Sequence, residues 1–143
     1  MEYTLEDLGV VAEKVVSEAR RRRASDQATV ITFSGDLGAG KTTLIQEIAR
    51  QLGVTDALQS PTFVIYKRYA ISSPKDWSFL IHGDMYRLES AEEIEKLGWN
   101  ELVADTNNIV CIEWPEKITG AIHENALCIT IKHLGGEKRS IEI

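Results

Sequence analysis

The sequence has 143 residues, 43% hydrophobic and 27% charged, enough chain for one domain in an ordinary globular balance, which excludes a disordered or fibrous protein. Its net charge of −6 gives no overall field to attract nucleic acid. The acidic, polar start Met1-Glu2-Tyr3-Thr4 does not resemble a signal peptide, and no apolar run nears the roughly 18 residues of a membrane span, so the expected location is the cytoplasm.

Thr4 to about Arg22 carries Leu5, Leu8, Ala12, Val15 and Ala19 at helical spacing and predicts an amphipathic helix, with Thr4 as cap and Asp7 three residues on. The basic run Arg20 to Arg23 falls at the end of that helix, where cations complement the macrodipole. It reads as a solvated end in preference to an RNA or partner patch. Thr29 to Ser34 is a compact β-rich run that passes into Gly35-Asp36-Leu37-Gly38-Ala39-Gly40. From Lys41 the pattern is helical again, with Leu44, Ile45, Ile48, Ala49 and Leu52 on one side and Gly53 as the stop.

The loop Gln59-Ser60-Pro61-Thr62 leads into an expected strand from Phe63 to Ile71, then a turn at Ser72 to Asp76 and a second strand from Ser78 to about Asp84. Ser90 and Glu93 suggest a capping box for a short helix ending near Gly98. Asn108 to Glu113 is strongly apolar. Ala126 to His133 alternates, and Gly135-Gly136 suggests a hairpin returning through Lys138 to Ile143. Cys111 and Cys128 lie inside these strand-like runs and read as reduced core thiols; His82, His123 and His133 show no metal-ligand spacing with them. Helices interspersed with strands argue for an α/β fold. The two close strand pairs argue for a mixed sheet, mostly parallel, flanked by helices and carrying antiparallel hairpins. No linker or repeat divides the chain, so residues 1–143 are expected to form a single domain.

Gly35-x-x-x-x-Gly40-Lys41-Thr42 matches the Walker A pattern completely. Glycines let successive backbone N–H groups turn inward around an oxyanion, and the following helix aims its positive end at the same phosphate. Lys41 can bridge β- and γ-phosphates, and the Thr42 hydroxyl can ligate Mg²⁺. The nucleotide-binding segment is therefore Gly35, Asp36, Leu37, Gly38, Ala39, Gly40, Lys41, Thr42 and Thr43. A β-run before it and a helical run after it are what this mechanism requires.

Magnesium in such sites also takes an acid at the end of an apolar strand. Asn108-Ile-Val-Cys-Ile-Glu113 and Phe79-Leu-Ile-His-Gly-Asp84 each end in one, so Glu113 and Asp84 both stand as candidates for holding the metal or positioning the attacking water. Trp114 follows Glu113 and reads either as core packing or as a residue beside the nucleotide. Thr62 lies downstream of the P-loop helix, where many NTPases keep a γ-phosphate-sensing switch.

Four segments in this order and spacing resemble one family: Gly35-Asp-Leu-Gly-Ala-Gly-Lys-Thr-Thr43, Ser60-Pro-Thr-Phe63, His82-x-Asp84-x-Tyr86-Arg87 and Ile112-Glu113-Trp114. They are similar to the TsaE (formerly YjeE) family of bacterial ATPases that support threonylcarbamoyladenosine synthesis in tRNA. The resemblance runs from the first helix to the last hairpin. It implies a P-loop fold, ATP and Mg²⁺ as cofactors, and hydrolysis coupled to a partner complex of TsaD and TsaB. It further implies that tRNA is reached only through that complex and that the free chain is a monomer. Carried over by motif, Lys41 holds phosphate, Thr42 and Glu113 hold Mg²⁺, Thr62 and Asp84 are switch residues near the γ-phosphate, and Trp114 lies close to the site. Gly83 departs from the larger apolar residue expected there, and Ser72 to Asp76 reads as an insertion at a hairpin tip.

Other functions share the Walker A loop. A small-molecule kinase would normally add an arginine-bearing lid, and no such insertion is visible. A GTPase would carry Asn-Lys-x-Asp, which does not occur. A nucleotide-dependent docking module with negligible turnover stays open beside the partner-activated ATPase.

Overall fold

Seven strands form one sheet in the computed structural model, which describes residues 1–61 and 64–143. The strands are β1 (Glu2–Tyr3), β2 (Thr29–Ser34), β3 (Tyr66–Ala70), β4 (Phe79–Asp84), β5 (Asn108–Glu113), β6 (Leu127–Gly135) and β7 (Lys138–Glu142). Their spatial order is β1-β7-β6-β2-β5-β4-β3. The inner strands β6, β2, β5 and β4 run parallel, while β3 pairs antiparallel with β4, β7 with β6 and β1 with β7. The expected mixed, mostly parallel sheet with antiparallel hairpins is what the chain builds.

Helices cover both faces. On one, α1 (Leu8–Arg21) and α2 (Lys41–Leu52) bring Val11, Val15, Leu44, Ile45 and Ile48 onto Ile31, Phe33, Leu80 and Ile109. On the other, α3 (Ala91–Glu95) and α4 (Trp99–Ala104) bring Ile94, Trp99 and Val103 onto Val30, Ile81, Val110 and Ile112. Covered on both faces, β5 is buried at every position, which is why its sequence reads as an apolar run and not as an alternation.

Before α1 a 3-10 turn spans Leu5–Asp7, and the expected Thr4–Asp7 cap is present: the Thr4 amide donates to Asp7 Oδ2 at 2.9 Å. At the other end of α1 the arginines are exposed but paired. Arg20 and Arg23 meet Asp76 at 2.7 and 3.3 Å, and Arg21 and Arg22 meet Glu18 at 3.1 and 3.2 Å. Asp76 belongs to the turn read as an insertion, so that turn is pinned to the end of α1, although exposed pairs of this kind contribute only about 0–1 kcal/mol.

Several expectations need correcting. Cys111 is buried, but Cys128 is exposed, because the inward alternation on β6 takes Leu127, Ile129 and Ile131 and turns Cys128 outward. The first hairpin strand runs over Tyr66–Ala70, and Phe63, its expected start, lies outside the described residues. The helix begun at Ser90 ends at Glu95, and the Ser90 side chain makes no capping hydrogen bond. Gly98, in the left-handed region at φ 81°, instead opens a second helix, α4, whose six residues are too few to show a period in sequence. The edge strand β1 was also not foreseen; it is held by the chain's amino group donating to the Ile141 carbonyl at 3.0 Å.

Candidate functional site

The parallel strand β2 ends at Ser34, the glycine-rich loop turns over its carboxyl end, and α2 starts at Lys41. Gly40 lies in the left-handed region at φ 107°, which a side-chain-bearing residue rarely adopts. Gly35 is also held in that region, and a Cβ there would run into the Ile131 carbonyl oxygen of β6. Two demands of the loop, a turn and a close backbone approach, thus fall on the two glycines of the motif.

Beside the loop lies a cavity of about 250 Å³, lined by Leu37, Gly38, Ala39, Gly40, Lys41, Thr42 and Thr43 together with Ser60, Asp84, Glu113, Trp114 and Arg139. Gly35 and Asp36 are not among its lining residues; their carbonyl oxygens accept hydrogen bonds from the Lys41 ammonium, the Asp36 one at 3.2 Å. Lys41 also sits 4.0 Å from the centre of the Trp114 ring. Burial pulls its amine below the usual lysine range, against an opposite pull from Glu113, Glu116, Asp84 and Asp36.

Glu113 ends β5 and is only 3% exposed. The Thr42 hydroxyl is 2.8 and 2.9 Å from its two carboxylate oxygens, and His82 Nε2 is 2.6 Å from Oε2. Asp84 ends β4 directly opposite Glu113 in the parallel register, so the two strand-end acids stand side by side at the carboxyl edge of the sheet. Asp84 accepts from the Tyr86 amide at 3.0 Å and from the Ser60 hydroxyl at 3.4 Å. Trp114 adopts φ 57°, unusual for a bulky residue, and its ring packs against Tyr86 with centroids 5.1 Å apart. This backbone turn brings Trp114 to the cavity.

Lys41, Thr42, Thr43, Asp84, Glu113 and Trp114 therefore converge on one cavity with the loop, as do Ser60 and, in an adjoining hollow, Pro61. Thr62 lies outside the described residues. Two residues at the site carried no role in the sequence reading. His82 is two positions before Asp84, and period-two alternation was enough to place it on the same face of β4. Arg139 reaches the loop from β7, donating through Nε to the Ala39 carbonyl at 3.0 Å. No local pattern could have found it, because it is 100 residues away in sequence.

A glycine-rich loop at the carboxyl end of a parallel strand, running into the amino end of a helix, defines a P-loop α/β protein. Comparison with known proteins narrows the class. A family model described as "Threonylcarbamoyl adenosine biosynthesis protein TsaE" matches residues 5–141, and the chain belongs to the TsaE family. The tRNA threonylcarbamoyladenosine biosynthesis protein TsaE of Haemophilus influenzae is 32% identical over 130 residues, which cover 91% of this chain and 78% of that protein. Its counterpart of the same name in Bacillus subtilis is 38% identical over 112 residues, covering 78% and 66%. Among solved structures, that of Bacillus subtilis YdiB is similar with a TM-score of 0.64 and 26% identity, over 99% of this chain and 82% of that one.

Proposed function

We propose that this chain is an ATPase that binds Mg-ATP in the cavity beside Gly35 to Thr43 and supports threonylcarbamoyl transfer to tRNA adenosine as the partner of TsaD and TsaB. The observation that carries this reading is the Thr42 hydroxyl resting on both carboxylate oxygens of Glu113 beside a complete Walker A loop. A hydroxyl and a carboxylate are the oxygen donors Mg²⁺ prefers, and it usually takes only one or two from protein and the rest from phosphates and water. The residues present fit that ion: Thr42 and Glu113 would hold it, and it would supply charge neutralisation at the β- and γ-phosphates. Lys41 would swing from the Gly35 and Asp36 carbonyls to the phosphates. Asp84, beside Glu113 but less buried, would orient an attacking water, and Thr62 would sense the γ-phosphate.

On this reading the chain works in the cytoplasm, as a monomer when free, and meets tRNA only through the complex. No helix among the described residues is long and apolar enough to cross a membrane. The test is multiple-turnover formation of threonylcarbamoyladenosine on tRNA by TsaD and TsaB, given an activated threonylcarbamoyl donor. Yield should depend on adding this chain together with hydrolysable ATP. Equal yield without the chain overturns the assignment.

Moving Lys41 off the Trp114 ring has an optical consequence. Saturating Mg-ATP should change tryptophan fluorescence, because Trp114 loses a cation 4.0 Å from its ring. Trp77 and Trp99, buried at 2% and 0% exposure, should contribute a constant background. Trp114→Phe should therefore titrate flat, and a flat titration in the unmodified chain would leave Trp114 a packing residue only.

A further inference from the structure

We propose that His82 is a positioning residue: it fixes the Glu113 carboxylate in the orientation that receives Mg²⁺, an inference that rests on the nucleotide site proposed above. β4 and β5 pair in parallel with His82 opposite Cys111 and Asp84 opposite Glu113. His82 is thus the diagonal neighbour of Glu113 on the sheet face that α2 covers, the spacing at which a long side chain can reach across strands. It does reach: Nε2 lies 2.6 Å from Glu113 Oε2.

The ring is wholly buried, at 0% exposure, and the carboxylate nearly so. An ionised carboxylate can only accept, so the imidazole nitrogen facing it must carry the proton. The other ring nitrogen, Nδ1, is buried with no hydrogen-bond partner among the described residues. A histidine kept for packing alone would have no reason to aim its one satisfied nitrogen at the strand-end acid, and a leucine would fill the same space without leaving an orphaned atom. Among the described residues, the ring's one hydrogen bond is the one to Glu113.

That contact matters because Glu113 has two jobs for its donors. The one Thr42 hydroxyl proton is shared between both carboxylate oxygens, at 2.8 and 2.9 Å. A lone pair of the Thr42 oxygen would serve the cation while its single O–H still donates to the carboxylate, so Thr42 by itself leaves the carboxylate free to rotate about that one bond. His82 is the second donor, and it holds the carboxylate against that rotation. Hydrogen bonds from outside the ligand shell orient metal-binding groups in this way, and losing one typically lowers metal affinity about 10–100-fold.

The experiment compares the unmodified chain with three variants by titrating ATP in excess Mg²⁺ and again in EDTA, with thermal unfolding as the check on the fold. His82→Leu should lose about 10–100-fold of the Mg²⁺-dependent gain in ATP affinity while its affinity in EDTA stays unchanged. His82→Gln, whose amide nitrogen can reach the Nε2 position, should recover most of that gain. His82→Asn, whose amide stops short near the Nδ1 position, should not. If His82→Leu fails to fold, the Gln and Asn pair decides alone. Equal Mg²⁺-dependent gain in Asn and Gln, or an equal fall with and without Mg²⁺, overturns the positioning role. Should the unmodified chain bind ATP with no Mg²⁺-dependent gain, the metal site itself is wrong, and this inference falls with it. An unmodified chain with normal Mg²⁺ dependence and an indifferent His82 overturns this inference alone.

Discussion

Lys41→Ala should lower ATP affinity by about 10²–10⁴-fold, as read by calorimetry on the folded variant. A hydrogen bond from a charged donor contributes roughly 1.5–3 kcal/mol, and one ammonium shared between two phosphates can lose two of them. Lys41 is already desolvated, already at the cavity, and held by the Gly35 and Asp36 carbonyls and the Trp114 ring, so little ordering cost remains when phosphate arrives. Burial has also pulled its amine below the usual lysine range. As pH rises, Lys41 should therefore lose its proton before exposed lysines do, and ATP affinity should fall in that window. Folding stability moves the opposite way: a lysine whose folded pKa is lowered binds more protons when unfolded, so stability from this group rises with pH there. Both slopes should be missing in Lys41→Ala. Unchanged affinity in that variant would remove the nucleotide from this loop.

What sequence alone can give depends on how far a signal has to reach. The Walker A segment is contiguous, and each of its requirements is local: a strand before, a left-handed glycine at Gly40, a helix from Lys41. It was therefore fully legible. The acids Asp84 and Glu113 were legible as strand ends, but from the residues alone neither could be preferred. Which one meets Thr42 is decided by strand order, which puts β5, and not β4, beside β2. Cys128 was misread although the alternation that exposes it is written in Leu127, Ile129 and Ile131; the apolar character of the run outweighed its period. β1 and α4 were missed because two and six residues hold less than two periods of their patterns. Arg139 could be placed only by the pairing of β7 with β6, which carries the last strand alongside the loop.

Turnover by the isolated chain should be slow, and TsaD with TsaB should raise it by up to about 10³–10⁵-fold, the range that help in trans supplies to other P-loop enzymes. Such chemistry needs a placed water, a metal, and usually a positive charge on the transition state. Asp84, Thr42 and Glu113 can answer for the first two. For the third, the described residues bring Lys41 and Arg139 to the cavity and Arg87 to the adjoining hollow. Yet Arg139 spends Nε on the Ala39 carbonyl and another nitrogen on the Glu137 carbonyl, both at 3.0 Å, so it braces the loop. A partner that lends an arginine would supply a positive charge not already engaged with the loop. The two acids should then separate by their surroundings. Glu113→Ala removes the acceptor shared by Thr42 and His82, so Mg²⁺-dependent ATP binding and turnover should fall together. Asp84→Ala removes a less buried carboxylate whose bonds go to the Tyr86 amide and the Ser60 hydroxyl, so binding should largely survive while turnover is lost. Phosphate release with and without partners, beside nucleotide titrations, reads both. Brisk hydrolysis by the chain alone, indifferent to TsaD and TsaB, would count against partner activation. Full stimulated activity in Asp84→Ala would leave the water to Glu113 or to a partner residue, and Glu113 would then be the one strand-end acid that turnover needs.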